Sequence, residues 1–376
     1  MERRPCCHVC GQAMKRNGTT KAGTLRWRCK SPDCGVSLVR KNNADAAGLA
    51  TFLKWLLKPL AQGEMSDSTS RTFRRKTAKY WAYWPLPHFR DESVSVLHVD
   101  GLHMGRKGVI LIGCNEAGTP LGWYLARTEH AGAWSALLAQ ISTPLMVVTD
   151  GGSGFRKAMK DTWPQVRIQR CLFHVYLNIT ALTSKRPRLA PGRELKWLAH
   201  QLLAAKTPKD AWQWEQDYLA WEARWAGFLA EKSVYATGEY KDTHAKLVRA
   251  RNLVRTLLRQ GQLFTFLSPA LLAASGLETL PSTNNRLEGG INAQIRRMWG
   301  WHRGMPFLHR VKAAYWWCYT HSPSPLPAAR ILGEMPTDAT IEALYQDARQ
   351  HHRQHGPVKW GTAISWEDLH HKTWKR

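Results

Sequence analysis

Two apolar, β-branched runs each end on an aspartate: SVSVLHVD closes at Asp100 and LMVVTD closes at Asp150. The second run carries no polar alternation, so it reads as a strand buried on both faces, and such strands belong to α/β cores. Acids at the ends of buried strands stand out in a chain with 54 Lys and Arg against 28 Asp and Glu, a formal net charge of +26. A third acid, Glu288 in TNNRLEGG, opens a predicted helix behind polar and small residues that suit an N-terminal cap. A few convergent carboxylates can hold two divalent ions roughly 4 Å apart, the arrangement that activates water or a sugar hydroxyl in phosphodiester displacement. Magnesium fits such a site because it takes oxygen ligands and leaves positions open for phosphates.

With 376 residues the chain has room for two or three domains, and 44% hydrophobic residues supply a sizeable core. The charge imbalance, with a pI near 10.1, predicts a polyanionic partner, nucleic acid before membrane. No stretch approaches the roughly 20 apolar residues of a membrane span. MERRPCCHVC has no hydrophobic region of the signal-peptide kind, which predicts a reducing, cytoplasmic setting with thiols or metal ligands in place of disulfides. Residues 1–80 hold 17 Lys or Arg and 5 Asp or Glu, a net of +12 in a fifth of the chain. Such lopsided charge favours nucleic-acid contact over a merely solvated surface. Most of the 19 tryptophans read as core, with some free to stack on bases.

Residues 1–42 read as a small zinc ribbon. Cys7 and Cys10 form a C-x2-C pair, Cys29 and Cys34 a C-x4-C pair, and 18 residues separate the pairs. Four thiolates on two knuckles reach one Zn²⁺ tetrahedrally. Gly11 and Gly35 directly follow the last cysteine of each pair, as knuckle turns require. Cys6 and His8 are alternatives for the first ligand. A unit this small lacks a sufficient apolar core, so the metal would be structural. Residues 43–90 read as a helix-turn-helix and a linker. LATFLKWLLKPLA has helical spacing up to a stop or kink at Pro59, and SDSTSRTFRRKTAKYW begins with the cap candidates Ser66 and Asp67. It places Arg71, Arg74, Arg75 and Lys79 on a basic second helix suited to a major groove.

The pattern over 91–175 is βββαβαβ, the order of a ribonuclease H-like core, in which the first and fourth strands are neighbours and bring Asp100 beside Asp150. Residues 176–282 are rich in Leu, Ala, Trp and Arg at helical spacing and read as an all-α insertion. Residues 283–322 return to the core with the helix carrying Glu288, and 323–376 form a C-terminal tail with a basic end. Of the other acids near these motifs, Asp161 reads as an ion-pair partner, and Asp91, Glu92, Glu116, Glu129 and Glu278 as solvated surface charges.

HVDG, VVTDGGSGFRKAM, RCLFH and TNNRLEGGINAQIRRMWGWHRGM, in that order and spacing, resemble bacterial insertion-sequence transposases of the Mutator-like superfamily. The catalytic resemblance covers roughly 93–320, and the ribbon with its helices matches a subgroup. It implies a DDE site of Asp100, Asp150 and Glu288 holding two Mg²⁺, with Mn²⁺ able to substitute, and DNA cut-and-join chemistry. It implies partners too: double-stranded DNA, as terminal inverted repeats and target, and a homodimer or larger synaptic assembly near the bacterial nucleoid. Cys171 and His174 match the family's C-x2-H signature. Two ligands do not complete a structural zinc site, so a buried supporting role is favoured, with metal or DNA contact as the alternative. Asn285 and Arg286 flank Glu288, and Arg296, Arg297, His302 and Arg303 follow it. The arginines are expected to fork onto phosphates. A ribonuclease H-like nuclease or resolvase without strand transfer, and a non-catalytic zinc-ribbon regulator, are the competing readings.

Overall fold

The structure is a computed structural model that describes residues 4–7, 9–21, 23–39, 44–65, 69–88, 92–234 and 238–355. His8, the cap candidates Ser66 and Asp67, Asp91 and the basic end beyond 355 lie outside the described residues. The chain divides into two compact units, Met1–Ala82 with Leu326–Met335, and Tyr83–Pro325 with Pro336–Arg376.

In the first unit, β1 (Met14–Thr19), β2 (Leu25–Cys29) and β3 (Ser37–Val39) form an antiparallel sheet in that order. Its core is little more than Met14 and Trp27 packed with Cys7 and Cys29. Gly11 and Gly35 both adopt positive φ, as the knuckle turns demand. Helix α1 (Ala44–Leu56) stops short of Pro59. Helix α2 (Ser70–Thr77) is capped by Thr69, whose hydroxyl accepts from the Thr72 amide at 3.4 Å. Phe73 packs edge-on against Trp55 of α1 with ring centres 5.5 Å apart, which turns Arg71, Arg74 and Arg75 outward. Lys79, expected on this helix, lies beyond it in the 3₁₀ turn Ala78–Ala82 and pairs with Asp45. The helix Ala328–Glu334 packs on α1 and buries Ile331.

In the second unit, β4 (Val96–His103), β5 (Val109–Cys114), β6 (Pro120–Ala126), α3 (Ala131–Leu138), β7 (Met146–Thr149), α4 (Ser153–Thr162) and β8 (Arg167–Arg170) follow the expected sequence of elements. The sheet order is β6-β5-β4-β7-β8, antiparallel through β4 and parallel from β4 to β8. Alternation sorts the strand residues by face. Leu97, Val99 and Val147 pack with Trp134, Leu137, Phe155 and Met159 beneath α3 and α4. Val96, Met146 and Val148 point the other way, onto Cys171 and Leu280.

The insertion runs through α5 (Leu172–Thr183), α6 (Ala190–Leu202), α7 (Pro208–Arg224), α8 (Ala226–Ala230), α9 (Ala245–Arg259) and α10 (Pro269–Ser275). Trp214, Tyr218 and Trp221, one stripe of α7, fill its core against Leu195, Leu198 and Val254. A Thr207–Asp210 capping box with Pro208 starts α7. The expected all-α insertion also contains a hairpin of β9 (Lys232–Val234) and β10 (Tyr240–Asp242). Three-residue strands carry too few positions to register as a period of two. The insertion is tied back at the sheet edge. Arg170 N–H donates to Gln262 O at 2.8 Å, Thr265 Oγ1 to Ile168 O at 2.7 Å, and Gln169 Nε2 to Leu263 O at 2.9 Å.

A π-helical turn, Arg286–Asn292, then leads into α11 (Ala293–Trp301) and α12 (Phe307–His321). Among the described residues no helix is long and apolar enough to cross a membrane. Lys312 of α12 is fully buried. Its Nζ donates to Asp338 Oδ1 at 2.5 Å and lies 4.6 Å from the centre of the Trp84 ring, while Trp84 Nε1 donates to the same oxygen at 2.7 Å. Removing one partner of a buried ion pair leaves an uncompensated charge. Asp338→Asn should therefore cost about 3 kcal/mol in a urea unfolding titration. A loss under about 1 kcal/mol would mean that Lys312 reaches water.

Candidate active site

β4 and β7 pair in parallel as Val96↔Met146, Leu97↔Val147 and His98↔Val148, a constant offset of 50 residues. Continuing that register sets Asp150, just past the end of β7, opposite Asp100 in β4. By alternation both aspartates belong to the face of Val96, His98 and Val148, the side on which Cys171 and Leu280 pack. Gly152 N–H donates to Asp150 Oδ1 at 3.1 Å and helps hold that carboxylate at the strand end.

Glu288 reaches this face through Asn284, a buried residue that bonds three partners. Its Nδ2 donates to Val99 O at 2.8 Å, its Oδ1 sits 3.2 Å from His98 Nδ1, and its amide donates to Cys171 Sγ at 3.2 Å. Because an amide oxygen only accepts, His98 carries its proton on Nδ1. Burial holds His98 neutral, with its pKa lowered to about 4. The Asn284 carbonyl then accepts from the amides of Leu287 and Glu288 at 3.0 and 3.1 Å and starts the π-helical turn. Turns of this kind are rare and concentrate at functional sites. Glu288 Oε1 comes within 3.3 Å of His174 Nδ1, and the ligand atoms of Cys171, His174 and Glu288 lie within 4.8 Å of one another. Four residues beyond Glu288, Asn292 Nδ2 donates to Asp100 Oδ2 at 2.8 Å.

The three acids feel each other. Burial pushes the Asp100 carboxyl up to about 7, and the charges of Asp150 and Glu288 push in the same direction, with His174 opposing them. Arg170, at the end of β8, is 6% exposed and folds over Gly151, where any Cβ would collide with the guanidinium. Its positive charge is stabilised by Asp150 against the cost of burial. Cys171 is a buried thiol whose pKa is raised by desolvation, so it remains protonated.

Glu129 corrects the sequence reading. In place of a solvated surface charge, the structure has a carboxylate with 24% side-chain exposure, 2.8 Å from His103 Nε2. A Cβ on Gly101 would fall 2.2 Å from Glu129 Oε1, so only glycine after Asp100 admits this approach. Burial and then the charge of Asp150 raise the Glu129 pKa. Asn284 and Asn292 were also missed. Asn292 left a readable signal, since residues four apart on a helix share a side. Asn284 and Glu129 left none, being polar residues in connecting segments.

Asn285, Arg286, Arg296, Arg297 and Arg303 are exposed around the same turn and helix. Cys7, Cys10, Cys29 and Cys34 come together in the first unit, with their sulfurs all within 4.8 Å of one another. Backbone amides of Cys10 and Val9 pull the Cys7 thiol down to about 6.

The second unit is thus an α/β domain in which Asp100, inside β4, lies across from Asp150, just past the end of the adjacent parallel strand β7. Residues 89–255, which include Asp100, Asp150, Cys171 and His174, match the family model described as Transposase, Mutator family. The transposase for insertion sequence element IS905 of Lactococcus lactis subsp. lactis is 28% identical over 113 residues, 26% of this chain and 29% of the relative. The transposase for insertion sequence element IS6120 of Mycolicibacterium smegmatis is 34% identical over 62 residues, 15% of this chain and 19% of the relative. The chain thus matches less than a third of the length of either curated relative. Over these regions the chain is similar to the Mutator transposase family and to curated insertion-sequence transposases.

The raised Asp100 pKa has a consequence for stability. A carboxyl that moves from 3.8 to about 7 on folding holds its proton more tightly in the folded chain. Its contribution favours the folded state at low pH and is lost as pH rises from about 4 through 7. Asp100→Asn removes the charge and keeps an oxygen for Asn292. Metal-free Asp100→Asn should melt on the order of 5 °C above the parent at pH 8, with the gap closing near pH 4. Equal melting temperatures at pH 8 would show that the carboxylate is not destabilising.

Proposed function

We propose that the chain is a transposase of an insertion sequence, binding the element's terminal inverted repeats and carrying out strand cleavage and 3′-hydroxyl strand transfer at Asp100, Asp150 and Glu288. The observation that carries this reading is the pairing of β4 with β7, whose register continued by two residues sets Asp100 opposite Asp150 within the region matching Mutator-family transposases. The sheet order, with β4 central and flanked by an antiparallel and a parallel neighbour, supports a ribonuclease H-like core.

The donor set fits hard divalent cations. Three segments supply carboxylates, and burial together with the charges of Asp150 and Glu288 disfavours the negative charge of Asp100, which cations would offset. Two Mg²⁺, replaceable by Mn²⁺, would supply activation of the attacking water or hydroxyl and stabilisation of the leaving oxygen. The protein's own groups orient that chemistry. Asn292 fixes one oxygen of Asp100, the Gly152 amide fixes one of Asp150, and Arg170 balances charge from below. His174 neighbours Glu288, and protonated Cys171 serves as a packed hydrogen-bond acceptor for Asn284 and not as a ligand. Asn285, Arg286, Arg296, Arg297 and Arg303 would meet phosphates around the acids.

In the first unit the four cysteines fit zinc. Sulfur separations of 3.6 Å for Cys7–Cys34 and 3.4 Å for Cys10–Cys29 approach the edge of about 3.8 Å in a tetrahedron with Zn–S bonds near 2.3 Å. The exposed Arg71, Arg74 and Arg75 of α2, with Lys79 beyond it, would bind DNA in a helix-turn-helix manner. Joining two ends to a target calls for a dimer or larger assembly.

Asp150→Asn should lower cleavage of a labelled element end by at least about a thousandfold while end binding by gel shift persists. Retained cleavage would remove Asp150 from the site, and cleavage without joined product would favour a nuclease. For the ribbon, the purified protein should hold one zinc per chain by elemental analysis, and Cys29→Ser should lose it together with protease resistance of residues 4–39. A metal-free native protein with the four thiols freely reactive would contradict the zinc assignment.

A further inference from the structure

Beside the acids lies a cleft of about 460 Å³ whose lining includes His103, Arg296, Trp299, His302, Arg303 and Arg310. Two of its lining residues lie on the elements that carry the acids or continue from them. His103 closes β4 three residues after Asp100, about 10 Å along a strand, and its Nε2 meets Glu129, the acid whose carboxyl senses Asp150. Arg296 follows Glu288 by eight residues along the π-helical turn and α11, about 12 Å of helix. The acid-facing wall is thus a histidine held by a carboxylate, and the rest of the lining is strongly cationic.

Arg310 is the most constrained of these cations. Its guanidinium carbon sits 4.6 Å from the centre of the Trp299 ring, and the Trp299 indole N–H donates to the Arg310 carbonyl at 3.0 Å. Its Nε is buried with no hydrogen-bond partner among the described residues. A guanidinium stacked on one face and unpaired at its edge is preorganised for an oxyanion that accepts from the fork. Arg296 and Arg303 are exposed on the same cleft and add charge without being buried.

We propose that this cleft seats the phosphodiester backbone of the cleaved strand about three nucleotides from the scissile bond, with Arg310 as its central ligand and Trp299 as its support. The spacing follows from the 10–12 Å offset and a rise of about 3.4 Å per nucleotide. The inference rests on the transposase reading and gives it a specific substrate subsite.

The test uses the full chain and a duplex taken from the DNA flanking its gene, with a single neutral methylphosphonate stepped along the strand to be cut. Binding is followed by fluorescence anisotropy over a salt series. Neutralising the phosphate about three nucleotides from the cut should weaken the parent about tenfold. Arg310→Ala should weaken binding of unmodified DNA by a similar factor and flatten the salt slope by about one. The two changes together should cost no more than either alone. Arg303→Ala, an exposed position, should show the same non-additivity to a smaller degree and reads the cleft even where Arg310→Ala fails to fold. Full additivity at every phosphate, or parental affinity and salt slope in the variants, would overturn the inference. If the parent itself neither binds nor cuts the unmodified duplex with Mg²⁺, the transposase reading fails instead.

Discussion

Parallel pairing of β4 with β7 is the constraint on which the site depends. One register, offset by 50 residues, brings Asp100 and Asp150 together and puts them on the face away from α3 and α4. A slip of one residue would turn Val147 and Val99 out of their core and send an aspartate into it. The apolar residues that pack under the helices therefore enforce the register, and the acids take their place from that packing. The third acid depends on the same strand, because Asn284 holds to His98 and Val99 before Glu288 begins its turn.

Gathering acids this closely costs stability. Asp100 is driven toward neutrality by burial and by two like charges. The surroundings answer with Arg170, His174 and the amide of Asn292, each partly offsetting the repulsion. Glu129 adds a further carboxylate, 2.8 Å from His103, which also lines the cationic cleft. Carboxylates and a cleft lined by Arg296, Arg303 and Arg310 thus lie on neighbouring parts of one unit, a polarity that fits the proposed metal-dependent reaction on DNA.

How much was legible in the sequence depends on the range of the interactions. The two apolar runs, the three-strand opening and the cysteine pairs follow from local pattern, and the observed sheet order and converging sulfurs agree with them, but β4 continues past Asp100 to His103. The Trp214–Tyr218–Trp221 stripe of the insertion was equally plain. What sequence could not supply were contacts closed by tertiary structure. Asn284 bonds residues more than a hundred positions away. Glu129 resembles any loop acid until Gly101 lets it approach. The π-helical turn also escapes periodicity, since one irregular turn does not alter an apolar pattern averaged over a window. Lys79 was assigned to α2 by spacing, but the helix tightens into a 3₁₀ turn before it.

Anomalous scattering from crystals soaked in Mn²⁺ with bound DNA tests the account most directly. It predicts two peaks about 4 Å apart, held by Asp100, Asp150 and Glu288. A single peak on Cys171, His174 and Glu288, with Asp100 and Asp150 unliganded, would contradict it.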